Sequence, residues 1–469
     1  SVSSGADQRA HWVKDNSELE SIMTNLSDDE LKAIKRGGFD HKKLYAAFDK
    51  ATKSSEKPTV ILVKTLKGYG LGEGSEGRNI AHQKKTMSDD ERIEIAKRLG
   101  IPLSDEECID AKFYVPDQDS DEMKYLHKRR QDLGGYQPIR FEDCKSLKAP
   151  DIENFSDFTD GIDRSISTTL ALVRMMSKML RDKEIGPYLV PIIPDEARTF
   201  GMDGLFSQAG IYSPSGQQYE PVDAGTISPY KEAKDGQILQ EGICEAGALA
   251  SFMAAGTAYS HSELPMIPIY IFYSIFGMQR IGDMVWACGD AMTKGFLIGG
   301  TAGRTTLNGE GVQHQDGHSH VLASTVPNMM TYDPAFAYEL AVIMQDGIKR
   351  MYQDKEDIFY YITVYNENYT HPAMPNDAQD GILKGMYCFK EASDQLLSEF
   401  KGKPIHLLGS GSLMQQVIEA QEALEKEGIP TYIWSVTSYN LLHRDFRDSK
   451  DYDKKSYIEE TIEGFDGHF

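Results

Sequence analysis

A glutamate among small apolar residues is the first feature of the sequence that suggests chemistry. Glu245 stands in GICEAGALASFMAAG, and Glu241 lies four residues before it. On a single helix that spacing puts both carboxylates on one face. A carboxylate surrounded by Ala, Gly, Ile and Leu is expected to be paired or functional, because an unpaired charge is costly to bury. Rotation toward solvent suits Glu241 better than Glu245. Asp195 and Glu196 follow the apolar run YLVPIIP. In open α/β sheets ligands bind just past the end of such a strand. Two acids there can act as base, orient a ligand or hold a metal; alternatively, Asp195 caps a helix. The segment QHQDGHSH carries His314, His318 and His320. Imidazole is the usual acid/base near neutral pH and a common metal ligand. A zinc pair at His-x-x-x-His needs a helix, whereas Gly311 and Gly317 predict a loop, so proton transfer or ligand positioning ranks ahead of metal. Tyr273 and Phe276 close the run MIPIYIFYSIF, where an aromatic pair stacks on a flat ring or simply fills the core. Residues 72–77 match G-x-G-x-x-G without the preceding strand or following apolar helix of a dinucleotide site. They read as a loop, with Arg78 and His82 in reach of a substrate or else solvated.

Alternating strands and helices must hold these residues. Helices are expected over 42–53, 163–181, 237–260, 335–353 and 413–427. Strands are expected over 58–66, 188–194, 266–274, 295–299, 357–364, 404–408 and 430–436. The stretch 88–149 is charged and irregular, with short helical pieces. Continuous apolar strands separated by helices predict an α/β fold with a parallel sheet covered on both faces.

The chain has 469 residues, enough for about three domains. Its net charge of −22 repels phosphate, which excludes a nucleic-acid binder acting through bulk charge. No apolar run approaches the ~20 residues of a membrane helix. The start is polar, with no signal peptide. The five cysteines form no C-x-x-C pair, so structural zinc and a disulfide framework are not expected. All five are read as buried small hydrophobes in a reducing cytoplasm. The first residue is Ser, which suggests a processed or partial product.

DEARTFGMDGLF (195–206), GQILQEGICEAG (236–247), FGMQRIGDMVWACGD (276–290) and GFLIGGTAGRTTLNGEGVQHQDGHSH (295–320) resemble one family. It is the thiamine-diphosphate-dependent, decarboxylating component of bacterial pyruvate dehydrogenase complexes, in its homodimeric form. YITVYNENYTHPAMP (361–375) and KGYGLGEGSEGRNIAHQKK (67–85) extend the likeness over nearly the whole chain. The resemblance implies a transketolase-like, thiamine-diphosphate-binding fold. It implies a diphosphate-domain remnant plus connector over 1–149, a pyrimidine-binding domain over 150–375 and the start of a C-terminal domain over 376–469. The activity implied is oxidative decarboxylation of pyruvate, with acetyl transfer to the lipoyl group of a dihydrolipoyl acetyltransferase core. A homodimer in the cytoplasm is implied too. Glu245 matches the glutamate that hydrogen-bonds the cofactor's aminopyrimidine nitrogen and favours its imino form. Tyr273 and Phe276 match aromatics around that ring. Asp195, Glu196 and His314 match polar residues on the substrate side. Lys67 matches a lysine near the bound intermediate, and its cation would stabilise a carboxylate or oxyanion. His82, with Glu76 and Arg78, matches the loop that orders over the site and assists acetyl transfer. Family members often carry Lys where Arg78 stands.

One departure is marked. The family's Mg²⁺ and diphosphate are held by a motif beginning G-D-G and ending in Asn about 30 residues later. Only fragments of it occur here, at Gly282-Asp283, Gly289-Asp290 and Asp316-Gly317. No Mg²⁺ ligand is therefore assigned to this chain, and the chain alone is expected to be inactive and to bind the cofactor poorly. The alternatives are a non-catalytic or split-enzyme subunit, and a metal-dependent hydrolase using His314, His318, His320 and Asp316.

Overall fold

The computed structural model describes residues 3–14, 17–34, 37–54, 57–72, 74–136, 144–194, 197–226, 228–304, 307 and 311–469. It divides into two compact units, Ser1–Tyr136 and Gln137–Phe469.

The larger unit is built on a six-stranded sheet. Its spatial order is Leu239–Gln240, Leu189–Ile193, Ile267–Tyr273, Phe296–Gly300, Phe359–Thr363, Met329–Tyr332, and every pairing is parallel. Every residue of Phe296–Gly300 and Phe359–Thr363 is buried, as a sheet covered on both faces requires. The packing explains the Ala/Gly content of helix Glu245–Ser262. A Cβ at Gly256 would lie 2.3 Å from the Lys294 carbonyl oxygen, so only glycine permits this approach. A second sheet has the order Met386–Lys390, Thr431–Val436, Ile405–Gly409. Its first pairing is antiparallel and its second parallel. Glu339, on helix Ala337–Ile348, ties the two sheets together. Its buried carboxylate accepts hydrogen bonds from the Ala335 and Phe336 amides and from the Tyr387 and Ser435 hydroxyls.

The smaller unit is helical among its described residues. Ser4, Ser27, Ser88 and Ser104 each form a capping box with the acid three positions on, which fixes four helix starts. No described helix of either unit is long and apolar enough to cross a membrane.

Most expected strands of the larger unit occur within one or two residues of their expected bounds, and several expectations need correction. Residues 58–66 form no strand. Val60 and Leu62 are 82% and 92% exposed, and a strand without a neighbour leaves its amides unpaired. The helix expected over 237–260 is Glu245–Ser262, preceded by strand Leu239–Gln240. Gly242, at φ +76°, turns the chain between them. Glu241 and Glu245 therefore do not share a helix. The helix expected from 163 starts at Thr168, capped by Ser167, behind strand Ile162–Ile166. Strands Met329–Tyr332 and Met386–Lys390 and helices Tyr439–Asp451 and Tyr457–Ile462 were not expected. Of the cysteines, Cys244 is exposed and Cys388 only partly buried.

Candidate active site

The candidate site forms where the central strand ends. Ile267–Tyr273 runs straight into helix Ser274–Asp290, so Tyr273 closes the strand while Phe276 stands in the first turn of the helix rather than on the strand. Their ring centroids are 6.0 Å apart. His314 closes the cluster, 4.9 Å from Tyr273 and 5.2 Å from Phe276, and Phe200 packs 5.3 Å from Tyr273. Tyr273, Phe276 and His314 are all half-buried.

Glu245 is joined to this cluster through a residue that the sequence reading passed over. Arg280, one helical turn beyond Phe276, lays its guanidinium 4.9 Å from the Phe276 ring centroid and donates a hydrogen bond to Glu245 Oε1. The signal was the i, i+4 spacing of Phe276 and Arg280. Glu245 is the first residue of its helix, where the free amide ends favour a carboxylate. It is half-buried and paired. Glu241 lies outside the helix and accepts from Ser251 Oγ at 2.5 Å.

The histidine segment is a loop, as the glycines indicated, until helix Ser319–Ala323 begins. Asp316 shapes it, accepting from the His318 and Ser319 amides at 2.9 and 3.0 Å and from Ser319 Oγ at 2.5 Å. Burial pushes the Asp316 carboxyl up, but the Ser319 hydroxyl and the loop amides outweigh it and hold it below the ordinary value. The three histidines diverge. His314 stays with the aromatic cluster. His318 is exposed. His320 sits 2.9 Å from Thr363 Oγ1 and 5.2 Å from the Tyr361 ring, and burial lowers its pKa. Among the described residues no three His, Cys, Asp or Glu are arranged to hold a metal ion, so the hydrolase reading loses its geometric basis. A cavity of about 350 Å³ opens beside His320, Asp316 and Arg304 at the carboxyl ends of neighbouring strands. Its floor is Asp333, which accepts from the hydroxyls of Thr363, Tyr365 and Ser410 at 2.6, 2.5 and 2.9 Å.

In the smaller unit, Lys67 Nζ hydrogen-bonds His82 Nδ1 across the turns of the glycine-rich loop. Glu76, buried in that loop, pairs with Arg98 at 2.7 Å. Asp195 and Glu196 lie outside the described residues.

A half-buried carboxylate at the rim of an aromatic cluster fits a flat, hydrogen-bonding heteroaromatic ring. The rings supply the faces and Glu245 an acceptor for an edge N–H. Comparisons with known proteins bear on the family and the fold. Residues 147–372 match the model of the pyruvate dehydrogenase E1 component middle domain, and residues 385–465 that of the transketolase-like C-terminal domain. The chain is 50% identical over 470 residues to the pyruvate dehydrogenase E1 component of Pseudomonas aeruginosa, covering 98% of this chain and 53% of that protein. It is 50% identical over 447 residues to that of Escherichia coli K12, covering 95% and 50%. The chain thus spans about half the length of the curated relatives it matches. Among solved structures, transketolase from Campylobacter jejuni aligns with a TM-score of 0.56 at 16% identity, over 88% of this chain and 57% of that one. A Pichia stipitis transketolase aligns with a TM-score of 0.57 at 16% identity, over 90% and 56%. The fold is therefore transketolase-like, and the resemblance read in the sequence is borne out.

Proposed function

We propose that this chain, similar over nearly its whole length to the pyruvate dehydrogenase E1 component, supplies the aminopyrimidine side of a thiamine-diphosphate site that oxidatively decarboxylates pyruvate. The acetyl group passes to the lipoyl group of a dihydrolipoyl acetyltransferase core. The observation that carries this reading is the Glu245 carboxylate, held by Arg280 at the rim of the Tyr273, Phe276 and His314 rings. Bound thiamine diphosphate supplies the electron sink for loss of carbon dioxide. Glu245 accepts a hydrogen bond from the ring's edge and fixes its protonation. Tyr273 and Phe276 hold the ring and exclude water from its faces. His314 faces the substrate and can exchange a proton with it. Asp195 and Glu196 line the substrate side. Lys67 neutralises the substrate carboxylate, and His82 assists acetyl transfer from the same loop. Residues 1–149, 150–375 and 376–469 correspond to part of a diphosphate domain with its connector, a pyrimidine domain and part of a C-terminal domain. The enzyme works as a cytoplasmic homodimer, with Mg²⁺ held by residues outside this chain's matched motifs.

The test joins the chain to the half of a relative that it does not match. Thiamine- and pyruvate-dependent reduction of an artificial electron acceptor is then assayed. Activity is expected, and Glu245→Gln should lower it by about 10²-fold or more. Activity indifferent to Glu245 would overturn the assignment.

A further inference from the structure

A second cavity lies at the opposite end of the six-stranded sheet. Its volume is about 310 Å³, within the range of small-ligand pockets. Pro265, Lys294 and Asp357 line it, each two residues ahead of a strand: Ile267–Tyr273, Phe296–Gly300 and Phe359–Thr363. It is thus at the amino ends of the strands, whereas Glu245, Phe276 and His314 gather at the carboxyl ends. The length of the central strand separates them, roughly 20 Å at about 3.3 Å per residue.

Two polar groups on this cavity lack what burial ordinarily demands. Lys294 is only 6% exposed. Its Nζ donates to the Met351 carbonyl at 2.7 Å and lies 4.7 Å from the Tyr259 ring centroid. An ammonium has three donors, and among the described residues no carboxylate stands within ion-pair distance of this one. Asp357 and Cys144 favour its charge from further off, and Lys355 opposes it. Burial dominates and takes its pKa down to about 8. The second group is the Tyr352 hydroxyl, which is buried and has no hydrogen-bond partner among the described residues. Native proteins rarely leave such groups unpaired, and one that borders a cavity is placed to bond whatever occupies it. Tyr259, Pro265, Met292 and Met351 form the cavity's apolar wall, and its other charged residues are Lys145, paired with Glu184 at 3.3 Å, and Lys355 and Asp357, whose charges cancel in sum.

We propose that this cavity is a second ligand site, for a small organic monocarboxylate with Lys294 as its counter-ion. One buried cation balances one negative charge. With Lys145 committed to Glu184 and the charges of Lys355 and Asp357 cancelling in sum, a phosphate dianion would exceed the one net positive charge, and an apolar or aromatic body fills the space against Tyr259, Met292 and Met351. The carboxylate provides acceptors for the spare Lys294 donors and for the Tyr352 hydroxyl. Proximity to the thiamine site is not required, so the proposal stands or falls independently of that assignment.

Benzoate serves as the probe, with benzyl alcohol as its uncharged counterpart, titrated calorimetrically into the full chain at constant ionic strength. Saturable benzoate binding is expected, with benzyl alcohol much weaker. Lys294→Met, which keeps the stem and removes the charge, should weaken benzoate by about tenfold or more. Tyr352→Phe gives a milder loss in the same direction and covers the case in which Lys294→Met fails to fold. In crystals of the chain soaked with benzoate, density against Lys294 Nζ is expected. No saturable binding, equal affinity in both variants, or benzoate only at the Phe276 cluster would each overturn the proposal.

Discussion

Arg280 shows how a single side chain organises the candidate site. It covers one face of Phe276 and holds one oxygen of Glu245. Removing it leaves both the ring and the carboxylate free to change rotamer, which misplaces them without deleting either. Arg280→Met in the joined enzyme should therefore cost about 10²-fold in activity and weaken the apparent affinity for thiamine diphosphate. Arg280→Lys should restore part of the affinity, since charge is kept and the planar fork is lost. Unchanged affinity in Arg280→Met would refute a positioning role. Glu245, Tyr273 and Phe276 were legible from residue type and place in apolar runs, and His314 from the histidine-rich segment QHQDGHSH. Arg280 was legible only in part: its i, i+4 spacing puts it beside Phe276, but nothing in its local sequence marks that it also reaches Glu245 on a neighbouring helix. His371 makes a separate prediction. Its Nδ1 accepts from the Ala337 amide at 3.1 Å and its Nε2 bonds the Ile166 carbonyl at 3.0 Å, both deep in the core. Burial holds its pKa below the ordinary 6.5. The unfolded chain thus takes up the proton first. The stabilisation is fully present above about pH 6.5 and is lost as the pH falls from there through the folded value. His320 shifts the same way. Thermal melting should drop on acidification below that point, and His371→Gln should flatten the dependence while lowering stability at neutral pH.

Helix Ala337–Ile348 joins the two sheets of the larger unit, and Glu339 is its anchor. Burial raises the Glu339 carboxyl, while the Ser435 and Tyr387 hydroxyls and the Ala335 and Phe336 amides favour its charge. Glu339→Ala would strip four donors of their acceptor inside the core. A loss of about 3–5 kcal/mol in chemical denaturation is expected, on the scale of other broken buried charge networks. Glu339→Gln keeps one acceptor oxygen and should cost clearly less; equal losses would mean that packing, not hydrogen bonding, holds the sheets. The elements themselves divide by how far local sequence decides them. Long β-branched or aromatic runs such as MIPIYIFYS and DIFYYITV announce strands because burial on both faces demands them. Met329–Tyr332 and Leu239–Gln240 are too short to carry a pattern; their state comes from neighbours far along the chain. The start of helix Glu245–Ser262 depends on Gly242, whose positive φ becomes visible only once Leu239–Gln240 has paired with Leu189–Ile193.

The two units differ in how completely they use their apolar residues. In the larger unit, Ile267–Tyr273 is paired on both sides and buried over six consecutive residues. In the smaller unit, residues 58–66 have the composition of a strand, yet Val60 and Leu62 face solvent and none of these residues donates a backbone hydrogen bond to another described residue. Composition sets what a segment can become, and pairing partners decide whether it does so. That is why the same reading succeeded for 266–274 and failed for 58–66. Amide hydrogen exchange should separate the segments sharply. Peptides over 58–66 should exchange at close to unprotected rates, while those over 267–273 should open only with the whole unit. Strong protection of 58–66 in the chain alone would mean that the segment finds a partner within it. In the chain joined to the remaining half of a relative, the same amides should become protected if that half supplies the neighbouring strand. Protection of 267–273 should stay as it was, because its partners, Leu189–Ile193 and Phe296–Gly300, are already in place.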